Sequence, residues 1–209
     1  MHTLLGDKSA LYCCDNCYIM NASDFQEIPK IFYSYQTQKP FCNCLVCNCY
    51  LLDDQTYVIE KAYKKHPGYT AQDVIFDYAI CLACALKMRQ EFSTDSLAKI
   101  NAYFSEHVIM NPLPHQKGPI EIDQCLAQCA VKKTPIREIT NYQIYGHFHG
   151  NRLIKSISPY LISQSAIEEI IPLISNDTQD VLNDFYNRHL NPDPEMLLPK
   201  QPSDQFIFI

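Results

Sequence analysis

The chain has 209 residues, of which 47% are apolar, and a formal net charge of −6 at pH 7 that is not gathered into long runs of one sign. This length and composition are sufficient for one sizeable domain or two small ones with a buried core. An acidic chain without a basic stripe repels a phosphate backbone, so nucleic-acid binding is disfavoured.

The cysteine content and the lack of export or membrane signals indicate a reducing compartment. The first residues do not combine a basic segment with a long apolar run, and no segment approaches the roughly 18 apolar residues that cross a bilayer. We therefore expect a cytoplasmic protein without membrane association. Eleven cysteines in such a compartment are more typical of metal binding than of a disulfide framework.

Three cysteine pairs with C-x-x-C spacing lie in the first half of the chain. They are Cys14/Cys17, Cys44/Cys47 and Cys81/Cys84. Random placement of the cysteines would give about 0.5 such pairs, so chance is a poor explanation. Thiolates at this spacing are common ligands of structural zinc. We predict that these six cysteines hold one or two zinc ions.

The predicted elements of the first half begin with a cysteine knuckle in residues 11–20. Residues 31–35 are rich in aromatic side chains and predict a short strand. A second knuckle follows, with Asn48 directly after its second thiol, where a left-handed backbone conformation is often required. Residues 57–60 predict another strand, and residues 61–68 predict a loop.

Two interpretations are open for the next stretch. Residues 74–80 are either a strand that delivers Cys81 to the start of a helix, or part of one helix over residues 71–92. Thr70 with Asp73 resembles a capping box and favours the second interpretation. In the first, Cys81 and its partner lie in the first helical turn, where the helix dipole favours thiolate.

A second helix and a cluster of helix breakers close the first half. An apolar stripe at helical spacing predicts a helix over residues 95–107. Prolines and a glycine within residues 112–119 then predict a domain boundary. The chain is thereby divided into a cysteine-rich zinc-binding region, 1–110, and a helical and hairpin region, 120–209, with a Pro-rich C-terminal tail.

The second half begins with a predicted short helix over residues 121–131. Its spacing places Cys125 and Cys129 on one side. Residues 142–149 alternate as in a strand, and residues 152–157 follow a turn signal and predict the returning strand of a hairpin.

Two further helices precede the tail. Ser165 predicts the start of a short helix that ends near residue 171, and residues 177–190 form an amphipathic pattern. From residue 191 onward prolines disfavour helix, and the apolar end at 206–209 suggests docking. The hint of a repeat in the sequence is a knuckle followed by a strand, seen in each of the first two knuckles.

The order of knuckle, hairpin and helix-borne cysteine pair over residues 41–92 resembles a treble-clef zinc finger. The resemblance implies that the second and third cysteine pairs share one zinc ion. It implies no particular activity, because this scaffold is widely shared. Alternatively, the first and second pairs resemble a zinc ribbon. A second zinc site would combine the first knuckle with Cys42 and Cys49, or with Cys125 and Cys129.

These observations predict an α+β protein with a zinc-stapled treble-clef-like region and a helix-rich half with a short β-hairpin. Four thiolates close a zinc site and leave no position for water, so the metal is expected to be structural. We expect a non-enzymatic, intracellular module that presents a rigid surface to a protein partner. One alternative is a thiol- or metal-dependent enzyme that uses His147 and His149, which share one face of a predicted strand. Another is a nucleic-acid-associated zinc finger.

Overall fold

The computed structural model describes residues 22–66, 68, 71–107, 118–157 and 159–190. The predicted ligands Cys14 and Cys17 and the Pro-rich tail lie outside these residues. The strands are β1 (Phe25–Glu27), β2 (Thr56–Lys65), β3 (Gln72–Cys81), β4 (Asn141–His149), β5 (Arg152–Ile154) and β6 (Tyr160–Ser163). The helices are α1 (Leu82–Gln90), α2 (Thr94–His107), α3 (Ile122–Cys125), α4 (Gln164–Ile170) and α5 (Asn176–His189). None of the described helices is long and apolar enough to cross a bilayer.

The six strands form one antiparallel sheet, which confirms the predicted mixture of helices and strands. Its order is β1-β5-β4-β2-β3, and β6 also pairs with β4. The long central pair joins β2 to β4 from Thr56↔His149 to Lys64↔Asn141. Strands from both predicted regions, 1–110 and 120–209, therefore share one sheet. The division of the chain into two regions stays a prediction.

Several predicted elements are confirmed. Residues 74–80 are part of β3 and deliver Cys81 to the start of α1, so the alternative of one helix over residues 71–92 is wrong. The pairing of β3 with β2 explains this outcome, because the strand finds its hydrogen bonds in the sheet. Helices α2 and α5 and the strand β4 lie within a residue of their predicted bounds.

Two predictions for the first half are wrong, and one hydrogen bond joins the two segments concerned. Residues 31–35 do not form a strand, and Lys30–Phe32 is instead one turn of 3₁₀-helix after Pro29. The segment predicted as a loop from residue 61 continues β2 to Lys65. Lys61 is buried in it, and its Nζ donates to Tyr33 O at 2.6 Å. A paired lysine inside the protein cannot be distinguished from a solvated one by sequence.

Two predictions for the second half are also wrong. Helix α3 ends at Cys125, so Cys129 is not on the same helix face but in a turn that bridges to Leu161. Helix α4 begins after Ser163 rather than at Ser165, because the Ser163 hydroxyl accepts the Ala166 N–H. A local capping signal identified the helix correctly but not its first residue.

The core on one face of the sheet contains a buried polar network. Glu60 of β2 is 1% exposed and accepts hydrogen bonds from the Tyr78 hydroxyl and, at 3.2 Å, from the Tyr145 hydroxyl. Phe185 of α5 covers this network, with its ring centroid 5.6 Å from that of Tyr78. Burial raises the pKa of Glu60 to about 8, despite the two hydrogen bonds that lower it. The carboxyl is therefore mostly protonated near neutral pH.

Four hydroxyl groups join the starts of α2 and α5. Ser96 and Thr178 are both 0% exposed, and their hydroxyls are 3.1 Å apart. The Ser96 hydroxyl accepts the N–H of Ser175 at 2.8 Å, and the Thr178 hydroxyl accepts the N–H of Ser93 at 3.0 Å. Each helix start thus satisfies a backbone donor of the other, which fixes the two helices end against end.

We expect Ser96→Ala and Thr178→Val each to lower the free energy of unfolding by about 1–2 kcal/mol, because each leaves a partly buried N–H without its acceptor. The double variant should deviate from additivity, since the two hydroxyls touch each other. Urea denaturation measures all three values. Ser105→Ala, at an exposed position of α2, is the control and should change the free energy little.

The Glu60 carboxyl should make stability depend on pH. Its ordinary pKa of 4.5 rises to about 8 in the folded protein. Between these values the unfolded chain releases the proton that the folded chain keeps, so the free energy of unfolding falls as pH rises. This contribution amounts to about 3 kcal/mol between pH 5 and pH 8. Glu60→Gln removes this pH-dependent contribution. From pH 5 to pH 8 the free energy of unfolding of the variant, measured by urea denaturation, should therefore rise relative to that of the wild type. An equal difference in the free energy of unfolding between variant and wild type at pH 5 and at pH 8 would contradict a buried neutral carboxyl.

Candidate metal centre

The first half of the centre is the turn that carries Cys44 and Cys47. The Cys44 N–H donates to Cys49 O and the Asn48 N–H donates to Cys44 O, both at 2.9 Å. Asn48 has a φ of 58°, as predicted from its place after Cys47. Asn tolerates this left-handed conformation better than most residues. The turn therefore directs both thiols to one side.

A neighbouring side chain that the sequence analysis did not identify holds this turn closed. The Asn43 side-chain amide donates to Asn48 O at 3.0 Å, and Asn43 forms an isolated bridge with Tyr50. The turn is also bound to the sheet, because the Leu45 N–H donates to Ala79 O of β3 at 2.9 Å. The sequence signal for the side-chain contact is an Asn beside a cysteine knuckle. No sequence signal indicates the contact with Ala79.

The second half of the centre is the junction of β3 and α1. Cys81 is the last residue of β3 and the N-cap of α1, and Cys84 lies in the first turn of that helix. The Cys81 N–H donates to the Cys44 sulfur at 3.3 Å. Because β3 ends at this point against the turn of Cys44, both thiols of the junction face those of the turn.

The four thiols come together in one group. The sulfur atoms of Cys44, Cys47, Cys81 and Cys84 all lie within 4.8 Å of one another. The sulfurs of Cys47 and Cys81 are 3.7 Å apart. Cys44 and Cys81 are each 2% exposed, whereas Cys47 is exposed, so the group is buried on one side and open to solvent on the other. An ion could enter from the open side.

The four thiols have different electrostatic surroundings. A hydrogen bond from the Cys49 backbone lowers the pKa of Cys47 to about 6. Burial raises the pKa of Cys81 and of Cys84. Cys47 therefore supplies a thiolate at neutral pH, while Cys81 and Cys84 would release their protons as a cation binds. The arrangement can hold a soft cation in a four-sulfur site.

The other described cysteines do not join this group. The Cys42 thiol is exposed and donates to Pro40 O at 3.6 Å. Cys49 lies beside the group: burial is the main cause that raises its pKa to about 12, followed by hydrogen bonds of its thiol with those of Cys47 and Cys81. Cys125 and Cys129 belong to the second half of the chain, and among the described residues no group of potential ligands includes them. The predicted second site requires Cys14 and Cys17 and stays a prediction.

The two histidines of β4 have different surroundings. His149 is 6% exposed and is paired on both ring nitrogens, with Asp54 at 2.9 Å and with Thr56 at 3.0 Å. His147 Nδ1 is buried without a partner, and burial lowers the pKa of His147 to about 4. No group of potential ligands within the described ranges contains either ring.

Comparison with protein-family models finds no match to this chain, and comparisons with curated proteins and with solved structures find none. The capacity to bind metal is therefore inferred from the four sulfur atoms themselves. Four converging thiolates are costly to bring together unless a cation or hydrogen bonds compensate their charge.

Cys81→Ser should lower the bound metal by one equivalent per chain, because it removes one of four thiolate ligands. Metal analysis of the purified full chain measures this. Cys125→Ser is the matched control, since Cys125 lies outside the group, and it should leave the metal content unchanged. Equal metal content in both variants would contradict the assignment of the ligands.

Proposed function

We propose that Cys44, Cys47, Cys81 and Cys84 bind one structural zinc ion. The observation that carries the proposal is the mutual proximity of four sulfur atoms within 4.8 Å. Two sulfurs bound tetrahedrally to one zinc ion at about 2.3 Å lie about 3.8 Å apart. The 3.7 Å between the sulfurs of Cys47 and Cys81 agrees with this geometry.

The spacing also favours a single ion over an iron–sulfur cluster. Cluster ligands surround several iron and sulfide atoms, so their sulfurs are held farther apart than ligands of one ion. Among single ions, zinc suits a closed four-thiolate site without redox chemistry. Hydrogen bonds from backbone N–H groups to the sulfurs of Cys44 and Cys47 would stabilise the bound thiolates.

The order of elements supports a treble-clef-like arrangement. A cysteine turn precedes the β2–β3 hairpin, and α1 follows with the second pair of ligands. In this arrangement the ion joins the turn to the start of the helix. Helix α1 is short and its apolar residues do not form one strong stripe, so it gains little from packing alone. The ion would hold it in place.

The role we propose for the protein is that of a non-enzymatic interaction module. Four protein ligands leave no coordination position for water or substrate. The elements that carry the ligands also expose apolar side chains, with Val46 40%, Tyr50 49% and Leu86 48% exposed. A metal-stiffened surface with exposed apolar groups suits recognition of a protein partner.

Removal of the metal with a chelator should increase protease cleavage in the segment from residue 42 to residue 92, because the turn and α1 lose the ion that joins them. Mass spectrometry of the fragments locates the cuts, and re-addition of zinc should restore protection. Elemental analysis of the untreated protein identifies the ion. Unchanged cleavage after complete metal loss would overturn the structural role.

Partner binding is tested with a variant that leaves the ligands intact. Val46→Ser with Leu86→Ser should keep the metal content. It should reduce the amount of a protein partner that binds the chain, relative to the wild type, because it removes exposed apolar contact area. Tyr35→Ser is the control, since Tyr35 is 61% exposed but lies outside the elements that carry the ligands. Identical capture by all three proteins would contradict an interface beside the metal.

A further inference from the structure

The turn around Cys129 has the same hydrogen bonds as the turn around Cys44, 85 positions earlier (129 minus 44). The Cys129 N–H donates to Thr134 O at 2.8 Å, and the Lys133 N–H donates to Cys129 O at 2.9 Å. Lys133 has a φ of 57°, as Asn48 has a φ of 58°. Lysine has no intrinsic preference for this conformation, so the turn itself is what the two places share.

Both turns are bound to a strand in the same way. The Leu45 N–H donates to Ala79 O of β3 at 2.9 Å, and the Ala130 N–H donates to Leu161 O of β6 at 2.7 Å. In each case the strand residue that accepts this hydrogen bond lies two positions before the residue of the same strand that faces the cysteine sulfur of the turn. The isolated bridges beside the turns also correspond, with Asn43↔Tyr50 in one and Gln128↔Pro135 in the other.

The sulfur atoms of the two turns receive the same backbone hydrogen bond. The Cys81 N–H donates to the Cys44 sulfur at 3.3 Å, and the Ser163 N–H donates to the Cys129 sulfur at 3.3 Å. Cys81 is the N-cap of α1, and Ser163 is the N-cap of α4. The offset between these two N-caps is 82 positions (163 minus 81). It is smaller than the offset of the turns because the chain between paired residues of β4 and β6 is three residues shorter than the chain between the corresponding paired residues of β2 and β3 (85 minus 82).

The correspondence continues through the helices that follow. Helices α2 and α5 each contain 14 residues, and α5 begins 82 positions after α2 (176 minus 94). The same offset relates the residues that form the reciprocal hydroxyl contacts at the starts of the two helices. Ser93 corresponds to Ser175, and Ser96 corresponds to Thr178.

A local two-fold axis relates the two sets of elements. Glu60 pairs with Tyr145 in the register of β2 and β4. Tyr145 is also the residue 85 positions after Glu60 (145 minus 60). A residue that pairs with its own counterpart in an antiparallel ladder marks the axis of two-fold symmetry. The axis therefore passes through the centre of the sheet.

We propose that the described residues of 127–189 are a second copy of the metal-binding unit 42–107, in which hydrogen bonds and an ion pair have replaced the ion. Cys129 is the retained ligand. The positions of Cys47, Cys81 and Cys84 are taken by Lys132, Ser163 and Ala166, respectively.

The replacement satisfies the remaining thiol without a cation. The Cys129 sulfur is 0% exposed and accepts hydrogen bonds from the Ser163 hydroxyl at 3.3 Å and from the Lys132 N–H at 3.4 Å. The Lys132 ammonium pairs with the Glu169 carboxylate, which in turn accepts from the Tyr103 hydroxyl at 2.8 Å. The ammonium of the residue at the position of one thiolate is thus paired with this carboxylate.

The proposal implies that the second unit can be converted into a four-thiolate site for a soft divalent cation. Lys132→Cys with Ser163→Cys and Ala166→Cys should raise the bound zinc of the full chain by one equivalent over the wild type. Cobalt(II) should give one additional equivalent of the thiolate-to-metal absorption that four-sulfur sites show. Because the readout is the increase over wild type, it stands whether or not the wild-type chain binds zinc.

The control carries the same number of new thiols at dispersed exposed positions. Arg137→Cys with Ser105→Cys and Arg188→Cys should not add a bound ion, because these exposed side chains lie on separate elements. A folded variant with Lys132→Cys, Ser163→Cys and Ala166→Cys that binds no more metal than the wild type would overturn the proposal. An equal gain in both triple variants would overturn it as well.

A second variant covers the case in which loss of the Ser163 cap prevents folding. Lys132→Cys with Ala166→Cys keeps that cap and provides three thiols together with Cys129. It should bind one additional cobalt(II) ion more weakly than the complete set, because one ligand is water or a hydroxyl. Circular dichroism verifies folding, and absence of added cobalt in the folded double variant would also overturn the proposal.

Discussion

The antiparallel pairing of β2 with β4 is the constraint on which the rest of the structure depends. It brings two stretches of chain that are far apart in sequence to the centre of one sheet. Each stretch then places its own second strand outward, β3 on one side and β6 on the other. The ends of these outer strands set the starts of α1 and α4, and thereby the positions of Cys81 and Ser163. The buried Glu60 carboxyl lies at the centre of this arrangement.

The two cysteine turns illustrate two solutions to one physical problem. A buried sulfur that faces a helix start requires compensation from a cation or from hydrogen-bond donors. Around Cys44 the neighbours are three further thiols, which a soft ion would satisfy together. Around Cys129 the neighbours are a hydroxyl and backbone donors, which satisfy a single thiol without metal. The backbone conformation is common to both, so the side chains alone decide which solution applies.

The correspondence between the halves also explains the contact of α2 with α5. Two helix starts that face each other bring their positive dipole ends together, which is unfavourable by itself. The four hydroxyls offset this cost, because each helix supplies acceptors for the backbone donors of the other. Of the two helices, α5 contacts the Glu60 network, through the rings of Phe185 and Tyr78.

The amino-acid sequence by itself determined the second and third cysteine pairs as potential ligands, the left-handed Asn48, and the helices and strands with strong periodicity. These depend on residue type and on spacing along a few turns of chain. The sequence did not determine the extension of β2 through Lys61, the end of α3 or the correspondence between the halves. Those were decided by tertiary structure, because a buried lysine needs Tyr33 and Asp77 to be stable and a turn needs its strand. Cys44 and Cys129 share backbone hydrogen bonds while most of their neighbouring side chains differ, and hydrogen bonds between distant backbone groups leave no pattern in a sequence.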